Sequence, residues 1–187
     1  MYRGHDEDLY ELWTKGEEAG WGDLTKAAGA TGAKGNPAIF FNSAAQTLIV
    51  PYRGTDDHVH SLFWSTGAVG HENLSDFARA PKAAGDPVGY YTPHNDAHQV
   101  TYRGIDGHIH ELWWHGEQAA RHTDLTVLAR GLPSVSDPAV YCNVGTNTKH
   151  AVYRTADGHL HELWWFLTAP GGSGETDLTS EKLFENS

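Results

Sequence analysis

A motif that recurs about every 50 residues is the strongest constraint on how this chain can fold. Tyr-Arg opens four comparable segments, at Tyr2, Tyr52, Tyr102 and Tyr153. A second block follows each of them: DLYELWT from Asp8, HVHSLFW from His58, HIHELWW from His108 and HLHELWW from His159. Copies in register indicate a repeated structural unit. We therefore interpret residues 1–187 as one repeat domain, with units that start near residues 2, 52, 102 and 153.

Two further blocks complete the repeat. The third block reads GDLT at Gly22, ENLS at Glu72, TDLT at Thr123 and TDLT at Thr176. The fourth reads GNPAIFF from Gly35, GDPVGYY from Gly85 and SDPAVYC from Ser136, so one unit lacks it. Each block is predicted as a short strand, and the prolines of the fourth block stand at a strand entrance, where proline is tolerated.

Four strands in a period of about 50 residues, with recurring aromatic residues, are typical of a β-propeller blade. A β-sandwich lacks a fixed period of this length. Helical repeats need apolar residues at i, i+3, i+4 and i+7, a pattern that the 21 Gly and 8 Pro interrupt. We predict an all-β fold, a β-propeller built of four-stranded blades, with almost no helix. A solenoid is the minor alternative.

The register of each blade's central hairpin depends on the turn between the first two blocks. That turn contains Asp106-Gly107, which recurs as Asp157-Gly158 and is altered to Asp56-Asp57. A two-residue Asp-Gly loop would oppose Arg103 to His110 and Tyr102 to Glu111. The same register opposes Arg154 to His161, Tyr153 to Glu162 and Arg53 to His60. One face would then carry Arg, His and the second Trp, and the other would carry Tyr, Glu and the first Trp.

Charge and composition exclude several classes of protein. The net charge is -11, from 13 Lys+Arg against 24 Asp+Glu, which disfavours nucleic acid as a partner. Cys142 is the single cysteine, so no intrachain disulfide can form. No apolar run approaches the roughly 18 residues of a membrane span, and the acidic start MYRGHDEDLY is unlike a signal or transit peptide. A soluble protein is expected, and its compartment, including a secreted or cell-surface setting, is left open.

The blocks also resemble a known family. Segments of the form YRGIDGHIHELWW, preceded by SDPAV or GDPVGY and followed by DLT, resemble the tandem repeats of bacterial β-propeller lectins that bind fucose and related sugars. The resemblance extends over all units and implies sugar pockets between neighbouring blades of a ring of about seven blades. This chain has roughly half that number of blades, and its first unit reads DLYELWT where others read HIHELWW.

A lectin function fits the repeated residues. Monosaccharide sites need an apolar plate for the C–H face of the ring and a few polar groups for the hydroxyls. We predict multivalent binding of glycans, fucosylated glycans among them, in pockets between blades. The candidate residues are Tyr102, Arg103, His110, Glu111, Trp114, Tyr153, Arg154, His161, Glu162, Trp165, Arg53, His60 and Trp64. The third and fourth units keep the full set, the second has Ser61 in place of Glu, and the first has Thr14 in place of Trp.

Each of these residue types also has a structural interpretation. The tryptophans can pack between blades, the arginines can bridge blades, and the glutamates can satisfy buried donors. The His-x-His pairs suggest metal, but equivalent residues of successive blades are radially separated, so no metal ligand and no cofactor are expected. Neutral histidines packed between blades are the favoured interpretation.

Enzymatic activity is not expected, because propeller enzymes use one unrepeated constellation whereas these polar residues recur. No Gly-x-Ser-x-Gly elbow, phosphate loop or zinc-protease motif is present. Two alternatives to a lectin stay open: a protein-interaction propeller scaffold, and a targeting fragment of a carbohydrate-active enzyme.

The expected assembly is a homodimer whose two chains complete one ring of about eight blades. The unit without a fourth block leaves an unpaired strand edge that a second chain could cover. A four-bladed monomer is the alternative.

Overall fold

The computed structural model describes residues 1–65, 67–167 and 171–180, which form four antiparallel sheets. Blade 1 contains β1 (Tyr2–Arg3), β2 (Leu9–Lys15) and β3 (Glu18–Asp23). Blade 2 contains β4 (Phe40–Asn42), β5 (Thr47–Arg53), β6 (Val59–Trp64) and β7 (Gly70–Asn73). Blade 3 contains β8 (Val88–Thr92), β9 (Ala97–Arg103), β10 (Ile109–His115) and β11 (Arg121–Asp124). Blade 4 contains β12 (Ala139–Asn143), β13 (Thr148–Arg154), β14 (Leu160–Phe166) and β15 (Ser173–Asp177).

The strands of every blade pair in sequence order, as in a propeller blade, which confirms the predicted fold class. Among the residues that the structure describes, helix is confined to α1 (Leu24–Ala28), α2 (Leu74–Phe77), α3 (Leu125–Ala129) and a 3-10 turn at Pro93–Asn95. None of the described helices has the length and apolar character needed to cross a membrane.

The predicted hairpin register is wrong by one residue. Tyr102 pairs with His110 and Arg103 pairs with Ile109, and blade 4 repeats this with Tyr153 opposite His161. The cause is a longer loop: the Gly104 N–H donates to the His108 carbonyl at 2.8 Å, and the Gly107 N–H donates back to Gly104. Gly107 has the positive φ expected of it, but as the last residue of a three-residue loop. Tyr and His therefore share one face.

The third block is not a strand throughout. Its Asp or Asn ends the strand and caps a short helix: Asp124 accepts a hydrogen bond from the Val127 N–H at 2.9 Å, and Asp23 and Asn73 do the same in blades 1 and 2. The hydroxyl of the last residue of the block accepts a hydrogen bond from the sheet. Thr126 Oγ1 accepts from the Ile109 N–H at 2.9 Å, where β10 begins. The block thus closes each blade against its own third strand.

The core lies between blades rather than inside one of them. One cluster joins Phe40, Ile49 and Val59 of blade 2 to Val100, Tyr102 and Leu112 of blade 3. A second joins Ile109 of blade 3 to Tyr153, Leu163 and Trp165 of blade 4. Leu9 of blade 1 packs in the same way on Val50, Tyr52 and Leu62 of blade 2. Each blade is therefore stabilised by its neighbours.

Backbone hydrogen bonds to aspartates link the first strands of successive blades. The Asn36 N–H donates to Asp86 at 2.8 Å, and the Asp86 N–H donates to Asp137 at 3.1 Å. Each acceptor comes from the next blade. A side chain on Gly35 would lie 1.7 Å from the Asp86 carboxylate, so this close approach requires glycine. Blade 4 has Ser136 at the corresponding position.

We predict that Thr126→Val destabilises the fold by about 1–3 kcal/mol, because it leaves the buried Ile109 N–H without an acceptor. Thr101→Val is the matched control, since Thr101 is equally buried and its hydroxyl has no hydrogen-bond partner among the described residues. Urea unfolding followed by tryptophan fluorescence measures both changes. Equal losses of unfolding free energy in the two variants would contradict the proposed role of Thr126.

Candidate functional site

Each blade presents two faces, which we name by the neighbour that they contact. The leading face of blade 3 carries Tyr102, His110, Leu112 and Trp114 and packs against blade 2, as the cluster around Tyr102 and Leu112 shows. The trailing face carries Arg103, Ile109, Glu111 and Trp113 and packs towards blade 4. Two blades can therefore meet over a leading and a trailing face along the full strand length.

The repeated tyrosines are interior residues. Tyr52, Tyr102 and Tyr153 are almost completely buried. Their hydroxyls each donate at 2.8 Å to a backbone carbonyl, of Thr31, Pro81 and Leu132 respectively. Aromatic burial with a satisfied hydroxyl is a packing role.

In blades 2 and 3, the second histidine of the pair belongs to a buried hydrogen-bond chain, which we call the histidine relay. In blade 3, Asp106 lies 3.1 Å from His110 Nε2, and His110 Nδ1 lies 2.9 Å from His122 Nε2. Asp56, His60 and His71 repeat the arrangement in blade 2. A carboxylate only accepts, so His110 Nε2 donates to Asp106, and Nδ1 of neutral His110 accepts from His122. The predicted site residues His60 and His110 are thereby fully engaged.

The arginines of blades 2 and 3 bridge to the following blade. Arg53 donates to the Ala84 carbonyl at 3.1 Å and lies 3.8 Å from Asp86. Arg103 likewise lies 3.6 Å from Asp137 of blade 4. Arg154 of the last blade is exposed. The bridging interpretation of the Tyr-Arg pair is therefore realised in two blades.

A cleft opens between blades 3 and 4 at the tryptophan end of the strands. Its volume is 260 Å³, and its lining includes Gln99, Glu111, Trp113, Lys149 and Trp165. Glu111 Oε1 lies 3.1 Å from Lys149 Nζ, so an ion pair spans the two blades. The Lys149 ammonium is 5.8 Å from the Trp165 ring centroid. An indole face, an acceptor and a cationic donor thus converge in one cleft.

Burial sets the electrostatics of this ion pair. Both side chains are less than one-tenth exposed. Burial raises the pKa of the Glu111 carboxyl, and the Lys149 ammonium opposes that rise. Removing one partner would leave an uncompensated buried charge. The pair therefore presents fixed polar atoms at the base of the cleft.

An equivalent cleft lies between blades 2 and 3. It measures 560 Å³, and Ser61, Phe63 and Glu72 line one side while His98 and Trp114 line the other. Trp114 stacks on His98 with ring centroids 4.7 Å apart. Ser61 and Phe63 occupy the positions that Glu111 and Trp113 hold in blade 3, and their smaller side chains are consistent with the larger volume. The two clefts share a tryptophan of the second block and differ in their polar groups.

The structure brings together only part of the predicted site. Glu111 and Trp165 line one cleft and Trp114 lines the other. The histidines lie four residues from the tryptophans on the same strands, about 13 Å away, and the tyrosines lie opposite those histidines on the neighbouring strands. Glu162 accepts a hydrogen bond from Tyr141 on the uncovered face of blade 4, and Trp64 packs against the core between blades 1 and 2.

Sequence reasoning missed Lys149 and His98. Each is the cross-strand partner of the cleft tryptophan: Lys149 pairs with Trp165 and His98 with Trp114. Leu48 holds this position opposite Trp64 in blade 2. The position varies between units, so it lies outside the repeated motif. With the correct hairpin register, this position is identified as the residue opposite the cleft tryptophan.

Comparison with solved structures supports the propeller fold. The SapL1 lectin in complex with α-methyl fucoside is 15% identical with a TM-score of 0.61, and the match covers 96% of this chain and 60% of that chain. The six-bladed lectin of Aleuria aurantia is 14% identical with a TM-score of 0.58 and the same coverage. A fucose lectin from Kordia zhangzhouensis is 13% identical with a TM-score of 0.54, over 77% of this chain and 98% of that chain. No protein-family model and no curated protein matches this sequence.

The histidine relay predicts loss of stability in mild acid. Burial lowers the pKa of His71 and His122 below the ordinary value of 6.5, and the neighbouring His60 and His110 lower it further. The unfolded chain therefore binds more protons than the folded chain below pH 6.5, so this stability is present above that pH and is lost as the pH falls.

We expect the midpoint urea concentration of unfolding to be lower at pH 5.5 than at pH 7.5. This difference should be smaller in His122→Gln, whose amide can still donate to His110. His5→Gln at an exposed position is the control and should keep the full pH dependence. A wild-type midpoint that does not change between the two pH values would disprove the role of the relay.

Proposed function

We propose that this protein is a lectin that binds sugar in the clefts between its blades. The observation that carries the proposal is the recurrence of one cleft in two places, each with a second-block tryptophan in its wall. Recurrent weak sites suit a multivalent binding protein, because several sites together gain avidity.

The chemistry of the cleft between blades 3 and 4 suits a monosaccharide. Trp165 is 7% exposed, and the part of its indole that lines the cleft offers an apolar surface for the C–H face of a pyranose. Glu111 accepts hydrogen bonds from hydroxyl groups, while Lys149 donates to them. The polar groups are buried and partly held by each other, so they are positioned before the sugar arrives.

Fucose is the first sugar to test. Methyl fucoside is present in the SapL1 and Kordia complexes, which share this fold. A 6-deoxy sugar combines an apolar methyl group with adjacent hydroxyls, which matches a cleft with both aromatic and charged lining. The larger cleft between blades 2 and 3 has Ser61 where the other has Glu111, so it should bind the sugar differently.

The proposed site is narrower than the sequence prediction. Glu111, Trp114 and Trp165 are retained, and Lys149 and His98 are added. We assign the buried tyrosines and the relay histidines a structural role, because their polar atoms already have hydrogen-bond partners within the protein. The proposed chemistry needs no cofactor and no catalytic step.

We also propose that two chains associate through their terminal blades. On the leading face of blade 1, Tyr2 is 45% exposed and Leu12 is 64% exposed, whereas their counterparts Tyr52, Tyr102, Leu62 and Leu112 are 0% exposed. On the trailing face of blade 4, Leu160 is 44% exposed, whereas Leu9, Val59 and Ile109 are 0% exposed. The uncovered faces are therefore one leading face and one trailing face. Within the chain, these two faces pack together between neighbouring blades.

The occupant that we propose for each face is a second copy of this chain. Blade 4 of one chain would pack on blade 1 of the other, and two sets of four blades would make one ring. Ser136 fits this junction, because blade 1 has no fourth-block strand among the described residues and so brings no aspartate to the position that needs glycine elsewhere.

We predict that Trp114→Ala combined with Trp165→Ala removes most fucose binding, at a cost of about 1 kcal/mol or more per site. Phe77→Ala is the control, because Phe77 is an exposed aromatic residue on α2 that lines neither cleft. Titration calorimetry with methyl fucoside measures the affinity, and circular dichroism checks the fold. A folded double variant with full affinity would show that these tryptophans belong only to the core.

A glycan array tests whether the ligand is a carbohydrate, without the assumption that the sugar is fucose. Binding to several glycans with one terminal sugar supports a lectin. A blank array with a folded protein would overturn the proposal and favour a protein-interaction scaffold.

For the assembly, light scattering should give twice the chain mass of 20.5 kDa. Leu12→Glu and Leu160→Glu should each reduce the measured mass to that of one chain, because each places a charge in the interface. Val127→Glu is the control, since Val127 is equally exposed on α3 and lies on neither face. A wild-type mass of 20.5 kDa would decide for the four-bladed monomer.

A further inference from the structure

The fourth blade departs from blades 2 and 3 at two positions that surround the relay histidine. Thr155 stands where the others have Gly54 and Gly104. Glu175 stands where they have His71 and His122, opposite the same strand residue. These two differences change what the histidine can bind.

In blades 2 and 3 the relay is closed. The carboxylates of Asp56 and Asp106 lie 2.9 and 3.1 Å from Nε2 of His60 and His110. Glycine makes this possible: a side-chain carbon on Gly104 would lie 2.5 Å from Asp106 Oδ1 and 2.7 Å from the His110 ring. Both ring nitrogens of these histidines are thereby used.

In blade 4 the relay is open. The Thr155 hydroxyl donates to Asp157 Oδ1, and the Asp157 carboxylate lies 4.0 Å from His161 Nε2. Nδ1 of His161 contacts the Glu175 carboxylate. His161 is only 4% exposed, and its Nε2 atom is buried without a hydrogen-bond partner in the described part of the chain. A buried polar atom without a partner requires an explanation.

His159 completes a set of three ligands. One ligand atom each from Asp157, His159 and His161 lies within 4.8 Å of the others. His159 Nδ1 lies 2.7 Å from Asp177 Oδ2, which leaves Nε2 of His159 free to coordinate. Both histidines therefore have a carboxylate on Nδ1, the arrangement that orients imidazole ligands and strengthens them as bases in metal sites.

We propose that Asp157, His159 and His161 bind one divalent transition-metal ion of the zinc type. Two imidazoles and a carboxylate are ligands that Zn²⁺ takes, with bonds of about 2.0–2.2 Å and water in the remaining position. Ligand atoms of a tetrahedral site are about 3.4 Å apart, so Asp157 and His161 need to approach by well under 1 Å. Asp157 and His159 are exposed, which gives the ion access from solvent.

This site goes beyond the proposed lectin function and is separate from the clefts. His161 and Trp165 are four residues apart on β14, about 13 Å along the strand. The expectation that no metal ligands converge assumed that ligands would come from successive blades. Here all three ligands come from one blade.

The direct test is calorimetric titration of the chelator-treated protein with Zn²⁺ alone. We expect one ion per chain with a Kd in the micromolar range or tighter, which His159→Gln should weaken at least tenfold. His58→Gln is the matched control, because His58 occupies the same place in blade 2, where its Nδ1 lies 3.0 Å from the Ser75 hydroxyl. It should leave zinc affinity unchanged.

A second variant tests the cause of the open relay. Thr155→Gly combined with Glu175→His restores the residues of blade 3, so it should fold, as circular dichroism can verify, and should lose zinc binding. The proposal is overturned if the wild-type protein takes up no zinc, if His159→Gln or this double variant binds zinc as well as wild type, or if His58→Gln loses zinc binding equally. Chelation should leave methyl fucoside binding unchanged. The zinc proposal and the lectin proposal are therefore tested independently of each other.

Discussion

The packing of one blade's leading face on the trailing face of its predecessor is the interaction on which the rest of the structure depends. A single blade has two apolar faces and can bury neither alone. Leu62, Leu112 and Leu163 are fully buried only because a preceding blade covers them, and Leu12, which has no such cover, is 64% exposed. Stability, the clefts and the proposed association of chains all follow from this contact between faces.

The contact is uneven along the strands, and this unevenness separates two kinds of chemistry. Near the central hairpin turn the faces are closed, and the polar residues there satisfy each other through tyrosine hydroxyls, arginine bridges and histidine relays. At the other end, aromatic and charged side chains line clefts between the faces. The proposed sugar sites lie in these clefts, and the proposed metal site lies where the histidine relay is open.

The sequence was sufficient to predict the fold, because the period, the block order and the turn residues all reflect one repeated blade. It was not sufficient for the site. The register depended on whether Asp106-Gly107 formed the whole loop, and the hydrogen bond between Gly104 and His108 lengthens that loop by one residue. This difference moved the tyrosines and histidines to one face. Lys149 and His98 were missed because their position varies between units, and the open relay depended on three-dimensional contacts of Thr155 and Glu175.

The aspartates that join the first strands have a consequence for how such a chain can lengthen by gene duplication. Blade 3 carries both halves of the link: the Asp86 N–H donates forward to Asp137, and the Asp86 carboxylate accepts from the Asn36 N–H of the blade before. A duplicated copy of blade 3 therefore arrives with an acceptor for its predecessor and a donor for its successor. Insertion or loss of this blade preserves such a bond at the new junction, provided that the glycine before the donor is inherited with it.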